Sequence, residues 1–256
     1  MEMHHHEGNI WGAWQFAPEI VIPLGILAFL FTRSAKRTGQ KNIFFIGGIF
    51  SALSVIVTPI GVRAMDSFTL HMTQHIVLMM ITGPLLVMAT PNTFNPSNRI
   101  FNALTNPIFS WISYAALMIG VHLPGPHNFV MENPWAHDYL EVPLYLILPY
   151  FFYFNLLDRK LERQRISPAL SVISLFLMMV PETLTGFFIY VSPGTLYNNT
   201  YEINDQRLGG SLMWSGAMII DAVWIALAVY HWLKSEEKKS QEIDAQVLAE
   251  RKNRLG

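Results

Sequence analysis

His71 and His75 stand four residues apart at the head of HMTQHIVLMMITGPLLVMATP, an apolar run long enough to cross a bilayer. Four residues is just over one helical turn, so His71, His75 and Met79 share a face and Met72 flanks it. Imidazole and thioether together are ligands for a soft transition metal, Cu(I) above all. Asp66 lies at the outer end of the same stretch. Within a span a histidine pair is costly unless it faces a partner or a cavity. Gly83 and Pro84 predict a kink below the pair, with neighbouring helices left to satisfy the carbonyl that the proline frees.

Three other groups carry chemistry. The segment VHLPGPHNFVMENPWAHDYLE holds His122 and His127 around a stiff Pro-Gly-Pro turn, then His137 and Glu141 one turn apart. A carboxylate so placed is either the outer partner of a metal-binding imidazole or a simple hydrogen-bond acceptor. Glu182, one turn from Met178, and Asp221 are acids within apolar runs. Such acids mark a functional pathway or buried structural hydrogen bonding, and whether these two meet is left open. At the start of the chain His4, His5 and His6, with Met1 and Met3, read as a metal-gathering arm or a cloning remnant.

These groups need elements to position them. The 256 residues are 52% hydrophobic and 14% charged, with mean hydropathy +0.31, the composition of a membrane protein. A net charge of −1 implies no nucleic-acid partner. The absence of cysteine excludes disulfides, thiolate metal sites, Fe–S clusters and thiol redox chemistry. The pattern predicts an all-α integral membrane protein, a seven-transmembrane helix bundle with spans over about 18–31, 42–60, 68–89, 108–122, 139–157, 169–190 and 208–233. The first lacks a basic leader and a cleavage site and is expected to be retained. The expected organisation is an extracytoplasmic His/Met arm over 1–16, the membrane domain over 17–233 and a charged cytoplasmic tail over 234–256. Of the 17 basic residues, all but Arg63 and Arg207 then fall on one side, which places the N-terminus outside and the C-terminus in the cytoplasm. Of the nine histidines, all but His231 lie at or near the outer face, an asymmetry that packing alone does not produce.

HMTQHIVLMM leading to GPLLVMATP, HLP at 122–124 and DQRLGGSLMW at 205–214 together resemble the multi-spanning CtaG family of bacterial cytochrome c oxidase assembly factors. Val142 stands where that pattern has a second histidine, and Gly83 where it has a proline. The resemblance implies a multi-pass protein of the bacterial plasma membrane that matures a heme-copper oxidase by handling copper for its catalytic centre. It implies His71 and His75 directly as ligands, and Met72, Met79, His122 and Asp205 less directly.

The expected function is therefore a metallochaperone-type assembly factor, not an enzyme. Cu(I) is gathered by the arm, held by His71 and His75 with a methionine or a loop histidine (His122, His127 or His137), and passed to an oxidase subunit by ligand exchange. An extracytoplasmic copper donor and a homo-oligomer are compatible with this reading. One rival is a Zn²⁺-dependent membrane hydrolase using His71, His75, His137 and Asp66. Another is a haem or quinone redox protein, with His71 and His122 as the axial pair. A retinal-type receptor falls, because every lysine lies outside the expected spans.

Overall fold

The computed structural model describes residues 14–38, 42–91, 94, 98–157, 166–198 and 200–255. The arm histidines His4, His5 and His6 lie outside the described residues. Eight principal helices account for most of the chain: α1 Pro18–Thr38, α2 Ile43–Ile56, α3 Phe68–Met88, α4 Pro107–Gly120, α5 Pro124–Glu132, α6 Pro134–Leu157, α7 Pro168–Val191 and α8 Ile203–Arg251. No strand occurs among the described residues.

Four of these, α3, α6, α7 and α8, are long and apolar enough to cross a membrane among the described residues. A fifth crossing is made if α4 and α5, bent by 73° at their junction, count as one. Helices α1 and α2 carry shorter apolar stretches, Ile20–Arg33 and Ile43–Ile56. The chain is thus a multi-pass helical membrane protein. Expected bounds shift in three places. The second span stops at Ile56, because Thr58 and Pro59 start a separate short helix there, the Thr58 hydroxyl accepting from Ile60 N. Within the 122–137 segment, expected as turns, residues Pro124–Glu132 form a helix, since Pro124 and Pro126 both lie in its first turn, where no N–H is required. The last helix starts earlier and runs well beyond its apolar stretch, its residues from Glu236 to Arg251 largely exposed.

Helix starts follow local chemistry. Asn106 accepts from the N–H groups of Ile108 and Phe109 ahead of Pro107, and Ser167 caps α7 ahead of Pro168. Inside α3, Pro84 withholds an N–H from the Met80 carbonyl, and Trp224 of α8 supplies one instead, its Nε1 donating to Met80 O at 2.7 Å. The ladder adapts upstream of the proline through a π-helical turn over Val77–Thr82. Gly83 lets α3 lie against α6, where an added Cβ would come within 3.0 Å of Pro149 Cβ. Gly186 of α7 and Gly210 of α8 bring those two backbones together; a Cβ on Gly210 would lie 2.8 Å from Tyr190 N and 3.0 Å from Gly186 O.

Candidate metal centre

The first turn of α3 is tied down from the far end of the sequence. Asp205 of α8 accepts from Phe68 N at 2.6 Å, Thr69 N at 3.2 Å and Ser67 Oγ at 3.1 Å, while Ser67 Oγ accepts from Leu70 N. A carboxylate at a helix N-terminus satisfies otherwise orphaned donors and matches the local dipole. Phe68 is fully buried, with its ring against those of Tyr197, Tyr201 and His127 and its edge where a Cβ on Gly209 would be. The backbone below it therefore has one register, and His71 and His75 project from it into the bundle.

Their rings stand 4.1 Å apart between centroids, and both are buried. Glu141 of α6 faces them: its Oε2 lies 3.7 Å from His71 Nε2 and its Oε1 3.9 Å from His75 Nε2. These separations are too long for hydrogen bonds. They suit ligands on one ion, since two atoms each about 2.0–2.2 Å from a metal stand no more than about 4 Å apart. One ligand atom from each of the three residues lies within 4.8 Å of the others. Tyr145, one turn further along α6, donates to Glu141 Oε1 at 2.7 Å and packs its ring against His75. All four ring nitrogens of His71 and His75, and Glu141 Oε2, are buried without a hydrogen-bond partner. Leaving such groups unmet costs about 1–3 kcal/mol each. Two imidazoles and a carboxylate, converging and unmet, are a donor set that fits a bound cation.

The other expected ligands separate into roles. His137 uses both ring nitrogens on neighbours, Nδ1 with Asp138 Oδ1 at 2.8 Å and Nε2 with Gln74 Oε1 at 2.9 Å, and Gln74 in turn donates to Val55 O. The expected pairing of His137 with Glu141 is corrected here. The residues from His137 to Glu141 form a π-helical turn, which takes the carboxylate off the histidine's face and aims it at His71 and His75. His127 is buried with Nε2 on Tyr201 OH at 3.2 Å and its ring 5.1 Å from His71. His122 bonds the Met118 carbonyl through Nδ1, and its Nε2 has no partner. Asp66 is exposed in the turn ahead of α3 and outside the cluster. The hydrolase set of His71, His75, His137 and Asp66 is accordingly not assembled. Sequence reasoning placed Glu141 in the wrong role and overlooked Gln74 and Tyr145; a glutamate within an apolar helix was the available signal.

A family model described as cytochrome c oxidase caa3 assembly factor (Caa3_CtaG) matches residues 26–235, every centre residue included. The chain belongs to this family. It is also 22% identical to the uncharacterized proteins Mb0105 of Mycobacterium bovis and MT0111 of Mycobacterium tuberculosis, over 90% of this chain and 41% of each of those proteins. The uncharacterized protein ML1998 of Mycobacterium leprae is 22% identical over 88% of this chain and 40% of its own length. The chain thus spans about two fifths of the length of these curated relatives. No solved structure matches.

In this Caa3_CtaG chain the two intramembrane acids do meet. Glu182 of α7 and Asp221 of α8 lie within hydrogen-bonding reach of each other, with Tyr114 and Tyr153 nearby. Glu182 also lines a cavity of about 10 Å³ that it shares with His75, His122 and several methionines, Met72 and Met79 among them. The rings of His75 and His122, which both line it, stand 5.4 Å apart between centroids in an edge-on arrangement.

Proposed function

We propose that this Caa3_CtaG protein serves assembly of a heme-copper cytochrome c oxidase by holding copper as cargo at His71, His75 and Glu141 and handing it to an oxidase subunit. The single observation that supports this is the meeting of three buried, unmet ligand groups from two apolar helices. Cuprous copper is the favoured form because the surroundings are methionine-rich. Ligand exchange suffices for the transfer, so no catalytic step is required. In the full reading the chain crosses the bacterial plasma membrane seven times with its N-terminus outside. His4, His5, His6 and Met3 then gather the ion, either free or from an extracytoplasmic donor, and the outer ends of α3 and α6 hold it.

Two histidines and a glutamate are also a zinc hydrolase's ligand set, which supports one alternative. Zinc-dependent turnover of a lipid by the purified protein would establish it in place of copper carriage. The direct test is Cu(I) binding to full-length protein in detergent under a competing chelator, for wild type, His71→Ala/His75→Ala and Glu141→Gln. The expected result is loss of the tight equivalent in the double variant and at least about tenfold weaker binding, ~1.4 kcal/mol, in Glu141→Gln. Binding unchanged in both variants would overturn the assignment.

A further inference from the structure

The cavity beside the centre has its own chemistry. Met72, Met79 and Met80 of α3, Met118 of α4 and Met213 of α8 line it, all buried, together with His75 and Glu182. Methionines fill irregular core gaps well, and five of them alone would signify packing. Two further features point to an occupant. His122 Nε2 is a buried polar atom without a hydrogen-bond partner that lines this cavity, as does Glu182, whose carboxyl lies within reach of Asp221. Its volume, about 10 Å³, is that of roughly one water-sized particle. His122 is held with its other nitrogen on the Met118 carbonyl, which leaves Nε2 as the free ring atom.

We infer that this cavity is a second copper site, a thioether–imidazole site for Cu(I) built from Met72, Met79, Met118 and His122. The inference rests on the proposed carriage of copper and adds to it a second station with a different ligand character. The centre at His71, His75 and Glu141 offers nitrogen and a carboxylate oxygen, donors that Zn²⁺ and Cu(II) also accept. The cavity offers sulfur and one imidazole, which select the cuprous ion. His75 borders both, so an ion moves between them by exchanging ligands around one ring, with no change in its oxidation state. Glu182 places a carboxyl oxygen beside the soft ligands, where it can offset the charge of the cation. Two stations in series would let the outer one accept copper and the inner one reject harder competitors.

The test titrates full-length protein with Cu(I), and in parallel with Zn²⁺, and records X-ray absorption of the copper-loaded form. The variants are Met72→Leu/Met79→Leu/Met118→Leu, which conserves side-chain volume, and Glu141→Gln, which leaves the cavity lining intact. The N-terminal arm is the same in every sample, so only differences between samples are read. The triple variant should lose one equivalent of Cu(I) and part of the copper–sulfur scattering, with Zn²⁺ binding and helical circular dichroism unchanged. Glu141→Gln should keep the copper–sulfur scattering while its nitrogen- and oxygen-bound equivalent weakens. A triple variant with wild-type Cu(I) stoichiometry and unchanged sulfur scattering would overturn the second site, whatever becomes of the first. Copper–sulfur scattering that survives while Glu141→Gln changes nothing would leave the second site standing and remove the first. Should the triple variant lose its helical signal, His122→Gln tests the same equivalent through its nitrogen ligand and is read by the same two outcomes.

Discussion

Asp205 contributes nothing to the donor set, yet it holds the backbone from which His71 and His75 project. Asp205→Ala should cost about 0.5–2 kcal/mol of stability through the lost cap and should weaken Cu(I) binding although no ligand is touched. Asp205→Asn should recover much of both, because a side-chain oxygen remains to accept from Phe68 N and Thr69 N. Chemical denaturation in detergent and the chelator competition measure the two effects; full-strength binding in Asp205→Ala would separate the cap from the site. At this scale the histidine pair was legible, since two imidazoles one turn apart in an apolar run have few uses. Glu141 was legible as an acid but not in its direction. A π-helical turn aims it, and hydrophobic periodicity does not register a single residue of underwinding.

The close seams between helices are set by missing side chains. Gly210→Ala would push a methyl group to 2.8 Å from a backbone nitrogen of α7, and backbone cannot yield as a flexible side chain does. That substitution should cost about 1–3 kcal/mol, seen as a lower unfolding temperature. Gly25→Ala in α1, with nothing within 4 Å, should be tolerated. Equal stability of the two variants would show that α7 and α8 do not depend on their contact. Helix α7 was legible almost to the residue, because Ser167 and Pro168 signal its start and an unbroken apolar run sets its length. The 73° bend between α4 and α5 was not. Pro124 and Pro126 read as breakers, and only the burial of His127 beneath them shows that the break opens a new helix over the site.

Taken whole, the centre lies under a lid made of α5 and residues 192–198 and 200–202. Tyr197 donates to the His122 carbonyl, Tyr201 reaches His127, and Asn198 donates to Glu132 at 3.3 Å. Burial raises the hydroxyls of Tyr197 and Tyr201 above the usual tyrosine value of about 10. Above that pH an unfolded chain has released protons that the folded lid retains, so stability is full below pH ~10 and falls as pH rises beyond it. An alkaline unfolding series on wild type and Tyr197→Phe should show the steeper loss in wild type; parallel curves would mean that Tyr197 ionises freely in place. The cross-chain cap has a further consequence, in the order of biosynthesis. Asp205 lies 137 residues beyond Phe68, so while the ribosome is still making the intervening helices the third stands in the translocon with its first turn untied. The ligand pair gains its register only when the last helix arrives. Assembly of the paired site at His71 and His75 therefore becomes a property of the finished protein, and a nascent chain still short of Asp205 does not present it in its final form.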